Sequence, residues 1–221
     1  MEKRVGKYNG QWVGMLACIA AGFLASQALA SEVVFFGDSV TEGYGLEASQ
    51  DYPAVLQKKI QETGLPYMIV NAGTDGMTTR GGIQEVENTV PSGKSILVIA
   101  LGANDALQKL PVSQIEANLG EIIERARRKS PEVVILLAGL HSPSAYYVSY
   151  GKQYAEDLAA VFPRVAKHYG VILIPYLFEG VGGVRSLNQA DGIHPTAEGQ
   201  RKIAENVWSV LKPVLIAQKG K

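Results

Sequence analysis

Five residues in four short fragments have the types needed for acyl transfer. Ser39, in Gly37-Asp38-Ser39, follows the apolar run 33–36. Gly73 closes Asn71-Ala72-Gly73, and Asn104, in Gly102-Ala103-Asn104-Asp105, follows the apolar run 96–101. Near the C-terminus, Asp191 precedes His194 by three residues in Asp191-Gly192-Ile193-His194-Pro195. Acyl transfer needs a hydroxyl nucleophile, a base, a group that orients the base, and donors for an oxyanion.

Ser39 is the candidate nucleophile. Alone, a serine at a strand end reads as a helix cap or turn residue; the accompanying fragments give it a chemical reading. Asp38 reads as structural, accepting backbone or loop hydrogen bonds. His194 is the candidate base. Of the other two histidines, His168 sits near a helix end and His141 follows an apolar run without a partner pattern. A short loop can carry the Asp191 carboxylate to one imidazole nitrogen and leave the other for Ser39, although Asp191-Gly192 is also an ordinary turn pair. The backbone N–H groups of Ser39 and Gly73 and the Asn104 amide are the candidate oxyanion donors. The same glycine and asparagine are also common turn residues.

These residues need a scaffold that gathers them. Apolar runs at 33–36, 67–70, 96–101, 133–137 and 171–174 predict five strands, so continuously apolar that they read as covered on both faces. Helical patterns lie between them. Tyr52, Val55, Leu56 and Ile60 share one face, and Gly64 stops that helix. Ile83, Val86 and Val90 suggest a second, weakened by Gly81 and Gly82. Ile115, Leu119, Ile122, Ile123 and Ala126 form a third stripe, started by an expected capping box of Ser113 and Glu116 and ended by Arg125, Arg127, Arg128 and Lys129. Tyr154, Leu158, Val161, Phe162 and Val165 make a fourth, with Pro163 an expected kink, and Ile203, Val207, Val210 and Leu211 a fifth. The alternation predicts a parallel sheet with helices on both faces, in which ligands bind beyond the carboxyl ends of the strands. Every candidate residue falls in such a position.

The balance of 21 Lys+Arg against 21 Asp+Glu gives no basic field for nucleic acid. Residues 1–30 read as a signal peptide: Lys3, Arg4 and Lys7 precede an apolar stretch that ends in Ala28-Leu29-Ala30. The stretch is short for a membrane span, so no stable anchor is expected after cleavage, and the domain would be residues 31–221, periplasmic or secreted. Cys18, the only cysteine, lies inside that stretch. Gly93-Lys94-Ser95 lacks the earlier glycine of a phosphate loop, and Gly43-x-Gly45-x-x-Ala48 does not leave a strand as a dinucleotide fingerprint must. There is no Gly-x-Ser-x-Gly elbow.

On these motifs, with Gly43-Tyr44-Gly45-Leu46 and Ala197-Glu198-Gly199-Gln200, the chain resembles the SGNH, or GDSL-like, hydrolase superfamily over essentially residues 31–221. The likeness is greatest to its periplasmic thioesterase I / lysophospholipase L1 / arylesterase group. The resemblance implies a flavodoxin-like, three-layer α/β/α sandwich with a five-stranded parallel sheet. It implies Ser39, Asp191 and His194 as the triad, Ser39, Gly73 and Asn104 as the oxyanion hole, and no metal or cofactor. The expected activity is a secreted serine esterase acting on small acyl esters, thioesters or lysophospholipids through an acyl-serine. The alternatives are a carbohydrate O-acetylesterase and a non-catalytic exported binding module on the same scaffold. Met77, Leu107, Leu110 and Pro111, with Tyr146 and Tyr147, suggest an acyl-chain surface; anchoring of their loops into the core is the other reading.

Overall fold

The structure, a computed structural model, describes residues 31–140 and 151–219. The expected signal segment, Cys18, His141, Tyr146 and Tyr147 lie outside the described residues.

The described chain runs β1 (Ser31–Gly37), α1 (Ser39–Glu42), α2 (Tyr52–Glu62), β2 (Tyr67–Gly73), α3 (Thr79–Thr89), β3 (Ile96–Ala100), α4 (Ala103–Leu107), α5 (Val112–Lys129), β4 (Val134–Ala138), α6 (Lys152–Tyr169), β5 (Ile172–Ile174) and α7 (Ala197–Gln218). All four strand pairings are parallel, and the order is β2-β1-β3-β4-β5. That is the flavodoxin-like order, whose switch point lies between β1 and β3.

Successive strand residues face opposite sides, which divides the interior in two. Val34, Phe36, Leu97, Ile99, Ile135 and Leu137 pack with the apolar stripes of α3, α5 and α6. Val33, Phe35, Ile96, Val98 and Leu136 pack with α2 and α7. The result is the expected three-layer sandwich. Gly82, read as a weakness in α3, is a packing requirement: a Cβ there would stand 2.7 Å from Leu101 and 2.9 Å from Ile122.

Three expectations are corrected. The edge strand β2 is not covered on both faces, since Met68 and Val70 are exposed. It also runs three residues past the predicted end, through Asn71 to Gly73, because its pairing with β1 continues to Gly37. Finally, α5 has no capping box: it starts at Val112 after Pro111 without a side-chain cap. Glu116 is drawn instead to Arg164 on α6, with bonds of 3.1 and 2.7 Å, and this pairing holds its carboxyl below the ordinary range. Pro163 lies inside a helix that continues to Tyr169.

On β2, which has β1 as its one strand neighbour, side chains take up backbone groups. The Ile69 N–H donates to Gln57 Oε1 at 2.7 Å, Gln57 Nε2 donates to the Tyr67 carbonyl at 3.4 Å, and the Gly73 N–H donates to Asn71 Oδ1 at 2.9 Å.

Candidate active site

β1 ends at Gly37, and the chain turns at once into the four-residue helix α1, whose first residue is Ser39. The turn is sterically specific. A Cβ on Gly37 would stand 2.0 Å from Thr41 Oγ1, so only glycine lets α1 fold back on the strand. Asp38 caps α1 by accepting the Val40 N–H at 3.0 Å. Its burial pushes the carboxyl up to about 6, against smaller opposing effects of that hydrogen bond and of His194. Gly43, at φ +90°, ends the helix, and its N–H and that of Tyr44 both donate to the Ser39 carbonyl at 3.0 Å. Gln200 of α7 accepts the Tyr52 N–H at 3.0 Å and donates to the Val40 carbonyl at 2.9 Å, fastening α1 to two helices. Ser39 is thus buried in a corner built mostly of backbone.

His194 arrives on a different kind of support. The segment from Asn188 to Pro195 closes on itself as a small loop, joined by an antiparallel bridge between those two residues. Within it, Asp191 accepts the N–H groups of Ile193 and His194 on Oδ1, at 2.9 and 3.0 Å. Its Oδ2 lies 2.7 Å from His194 Nδ1. Partial burial would raise this carboxyl, but the bonds from the His194 ring and the two amides outweigh it and hold Asp191 below the ordinary carboxylate range. The other imidazole nitrogen, Nε2, is 3.0 Å from Ser39 Oγ, across 155 residues of sequence. The structure therefore joins Ser39, His194 and Asp191 in one hydrogen-bonded chain.

The expected oxyanion residues divide. Asn104 lies in α4, at the end of β3, and its side-chain amide donates one N–H to the Met77 carbonyl at 3.0 Å. Asp105, fully buried, clamps α4 to α3 by accepting the Thr79 N–H at 2.8 Å and its hydroxyl at 2.5 Å. Gly73 does not offer its N–H outward, because Asn71 takes it. The need for glycine at 73 has another cause: a Cβ would stand 2.2 Å from the Glu42 nitrogen and 2.7 Å from the Thr41 carbonyl carbon. A second glycine sits in the next turn. The Thr74 N–H donates to the Gly37 carbonyl at 3.0 Å, and the Met77 N–H to the Thr74 carbonyl at 3.1 Å. This turn is stitched at one end beside Asp38-Ser39 and at the other to Asn104. It contains Gly76, at φ +72°, with no heavy atom within 4 Å of where a Cβ would lie.

Of the expected acyl-chain residues, Met77 and Leu110 are partly buried against the core, and Leu107 is half-buried. The Leu110 carbonyl accepts the Tyr154 hydroxyl at 2.8 Å. Two residues absent from the sequence reading of the site stand beside His194. Tyr44 stacks on its ring, and Gln189 bonds to the Tyr44 carbonyl at 2.8 Å. Tyr44 lay in a motif noted only for its resemblance. Gln189 carried no signal, because its partners are distant in sequence. Among the described residues no cluster of three or more His, Cys, Asp or Glu side chains could hold a metal ion.

Residues 35–202 match the GDSL-like lipase/acylhydrolase family. The chain belongs to that family. It is 37% identical over 199 residues to the esterase TesA of Pseudomonas aeruginosa, spanning 90% of this chain and 96% of the relative. It is 30% identical over 189 residues to the thioesterase 1/protease 1/lysophospholipase L1 of Escherichia coli K12, spanning 85% and 86%. A solved structure of TesA superposes with a TM-score of 0.75 at 36% identity, covering 83% of this chain and 99% of that one. This GDSL-like hydrolase is accordingly an enzyme acting on ester bonds.

Proposed function

We propose that this GDSL-like hydrolase is an exported serine esterase that cleaves acyl esters, including thioesters and lysophospholipids, through Ser39, His194 and Asp191. The carrying observation is the hydrogen-bonded chain from Ser39 Oγ through both imidazole nitrogens to the Asp191 carboxylate, at 3.0 and 2.7 Å. Asp191 holds the proton on Nδ1, which leaves Nε2 as the acceptor for the Ser39 hydroxyl proton. Ser39 Oγ attacks the carbonyl carbon as His194 takes that proton. The tetrahedral intermediate expels the alcohol or thiol, which His194 protonates. Water, deprotonated by His194, then attacks the acyl-serine and releases the acid.

The oxyanion donors in this scheme are the Ser39 N–H, the second N–H of the Asn104 amide, and a glycine N–H in the loop after β2. For that glycine Gly76 is the better assignment than Gly73. The Gly73 N–H already serves Asn71, whereas Gly76 lies in the turn stitched between Gly37 and Asn104. Met77, Leu107 and Leu110 border that turn and the end of α4, where an apolar chain would extend from the acyl carbon. The relatives named esterase and thioesterase 1/lysophospholipase L1 support the substrate class. The basic start and small-x-small end of residues 1–30 support export to the periplasm or medium, and no helix among the described residues is long and apolar enough to cross a membrane.

The test is covalent. A fluorophosphonate probe labels the wild-type protein stoichiometrically and leaves Ser39→Ala unlabelled, while hydrolysis is profiled across acetyl to palmitoyl esters and thioesters. Labelling that persists in Ser39→Ala removes Ser39 as the nucleophile, and activity confined to acetylated sugars replaces the acyl-chain reading.

A further inference from the structure

Two hydrogen bonds fix an imidazole only along the line between its nitrogens. Torsion about the Cα–Cβ and Cβ–Cγ bonds carries the ring off that line and moves Nε2 away from the hydroxyl it must meet. In this protein a further contact addresses that freedom. The ring of Tyr44 lies on the ring of His194, with centroids 4.3 Å apart and planes inclined by 28°. Tyr44 is 47% exposed, so the stack is not a by-product of core filling.

The backbone of Tyr44 is held at both ends. Its N–H donates to the Ser39 carbonyl at 3.0 Å, and its own carbonyl accepts Gln189 Nε2 at 2.8 Å. The same Gln189 nitrogen donates to the Pro195 carbonyl at 3.0 Å, and the Gln189 backbone N–H donates to the His194 carbonyl at 2.7 Å. One glutamine thus ties the loop that carries Tyr44 to both sides of the loop that carries His194. Gly45 leaves it room: a Cβ at that position would stand 2.6 Å from Gln189 Oε1.

Building on the proposed role of His194 as the base, we infer that Tyr44 and Gln189 form a clasp that positions the imidazole. Tyr44 does so by covering the face of the ring. Gln189 does so by locking the two loops together. The stack has a second effect. In the proposed reaction His194 gains positive charge as it takes the Ser39 proton, and a cation over an aromatic face is attracted to it. That attraction exists in the transition state and not in the resting enzyme, so it acts on kcat rather than on substrate affinity. Tyr44 and Gln189 are positioning residues; the proton is moved by His194.

Steady-state kinetics on one soluble ester, together with the NMR signals of the His194 ring, test the clasp. Tyr44→Leu lowers kcat about tenfold, from lost alignment and lost cation–π attraction, with KM changed by less than about twofold. Tyr44→Phe recovers most of that loss, because the face and not the hydroxyl makes the contact. Gln189→Ala lowers kcat in the same sense and serves as the independent variant if Tyr44→Leu does not fold. In the wild type the His194 ring protons are shifted upfield by the stacked ring, and in Tyr44→Leu they move downfield. A kcat unchanged in both Tyr44→Leu and Gln189→Ala, a loss that falls on KM alone, or a loss that Tyr44→Phe fails to recover overturns the clasp. Failure of the probe to label the wild type would overturn instead the reading of Ser39 and His194, so the two failures are separable.

Discussion

Ser39 and His194 meet at 3.0 Å, yet they are held by opposite means. The corner around Ser39 is buried and made of main chain. Gly37, Gly43 and Gly73 let α1 press against β1, the edge of β2 and the start of α2 so closely that any Cβ would collide. The loop around His194 is a partly exposed excursion between β5 and α7, with the Asp191 side chain 38% exposed. Its order comes from hydrogen bonds: the backbone bridge at its neck, the Asp191 carboxylate inside it and the Gln189 carboxamide across it. Close packing forbids displacement, whereas a set of hydrogen bonds only opposes it, since water can replace each one. Ser39 is therefore fixed by steric exclusion and His194 by a network that substitutions can loosen step by step.

Three substitutions sharpen or break that contrast. The largest effect is expected on the network side. Asp191→Asn keeps the shape of the loop but lets the imidazole adopt the wrong tautomer, and kcat falls by about 10³- to 10⁴-fold with an unchanged melting temperature. A rate within a few-fold of wild type would show that the loop orients His194 without its carboxylate. On the packed side, Gly73→Ala drives a methyl into the backbone of Thr41 and Glu42. Stability and probe labelling of Ser39 fall together, by an overpacking cost of about 1–3 kcal/mol or more. Gly76→Ala is its control: nothing lies within 4 Å of the added Cβ, and the cost is the left-handed backbone alone, about 1–2 kcal/mol. The fold survives while kcat drops, as a displaced oxyanion donor requires. A Gly73→Ala variant as stable as wild type would contradict the packing account of Gly73.

A pH-dependent effect, absent near pH 4, concerns Asp38, whose buried carboxyl is raised from 3.8 to about 6. A raised carboxyl means that the folded protein binds a proton more readily than the unfolded chain. Wild-type stability through this group therefore rises as pH falls from about 6 to about 4, and is reduced above that window. Asp38→Asn retains an oxygen for the Val40 N–H and removes the buried charge. It should be more stable than wild type at pH 7.5 by up to about 3 kcal/mol, with the gain vanishing near pH 4. Urea denaturation at the two pH values checks this, and a pH-independent difference would count against burial as the cause.

The sequence reading was strongest where one local rule dominates. β1, β3 and β4 are central strands, and their unbroken apolar runs made them visible. The pairing of Asp191 with His194 was legible because only three positions separate them. The failures have several causes, and contacts remote along the chain are the commonest. Glu116 has the spacing of a cap, but an arginine 48 residues away outcompetes the local partner. Gly73 has the position of an oxyanion donor, but its neighbour's side chain takes its N–H and α1 demands its lack of a Cβ. The short helices α1 and α4 span about one turn, too little for a periodicity to register. Tyr44 and Gln189, 145 residues apart, leave no trace in spacing.

The flank of the sheet at β2 bears on how this protein behaves in bulk. Gln57 and Asn71 already occupy hydrogen-bonding groups that an incoming strand from another molecule would have to capture. Recruitment of a stranger would first require both amides to be evicted, at the cost of the bonds they make. Concentrated solutions should therefore stay clear of ordered fibres seeded from this side, despite the bare methionine and valine beside it.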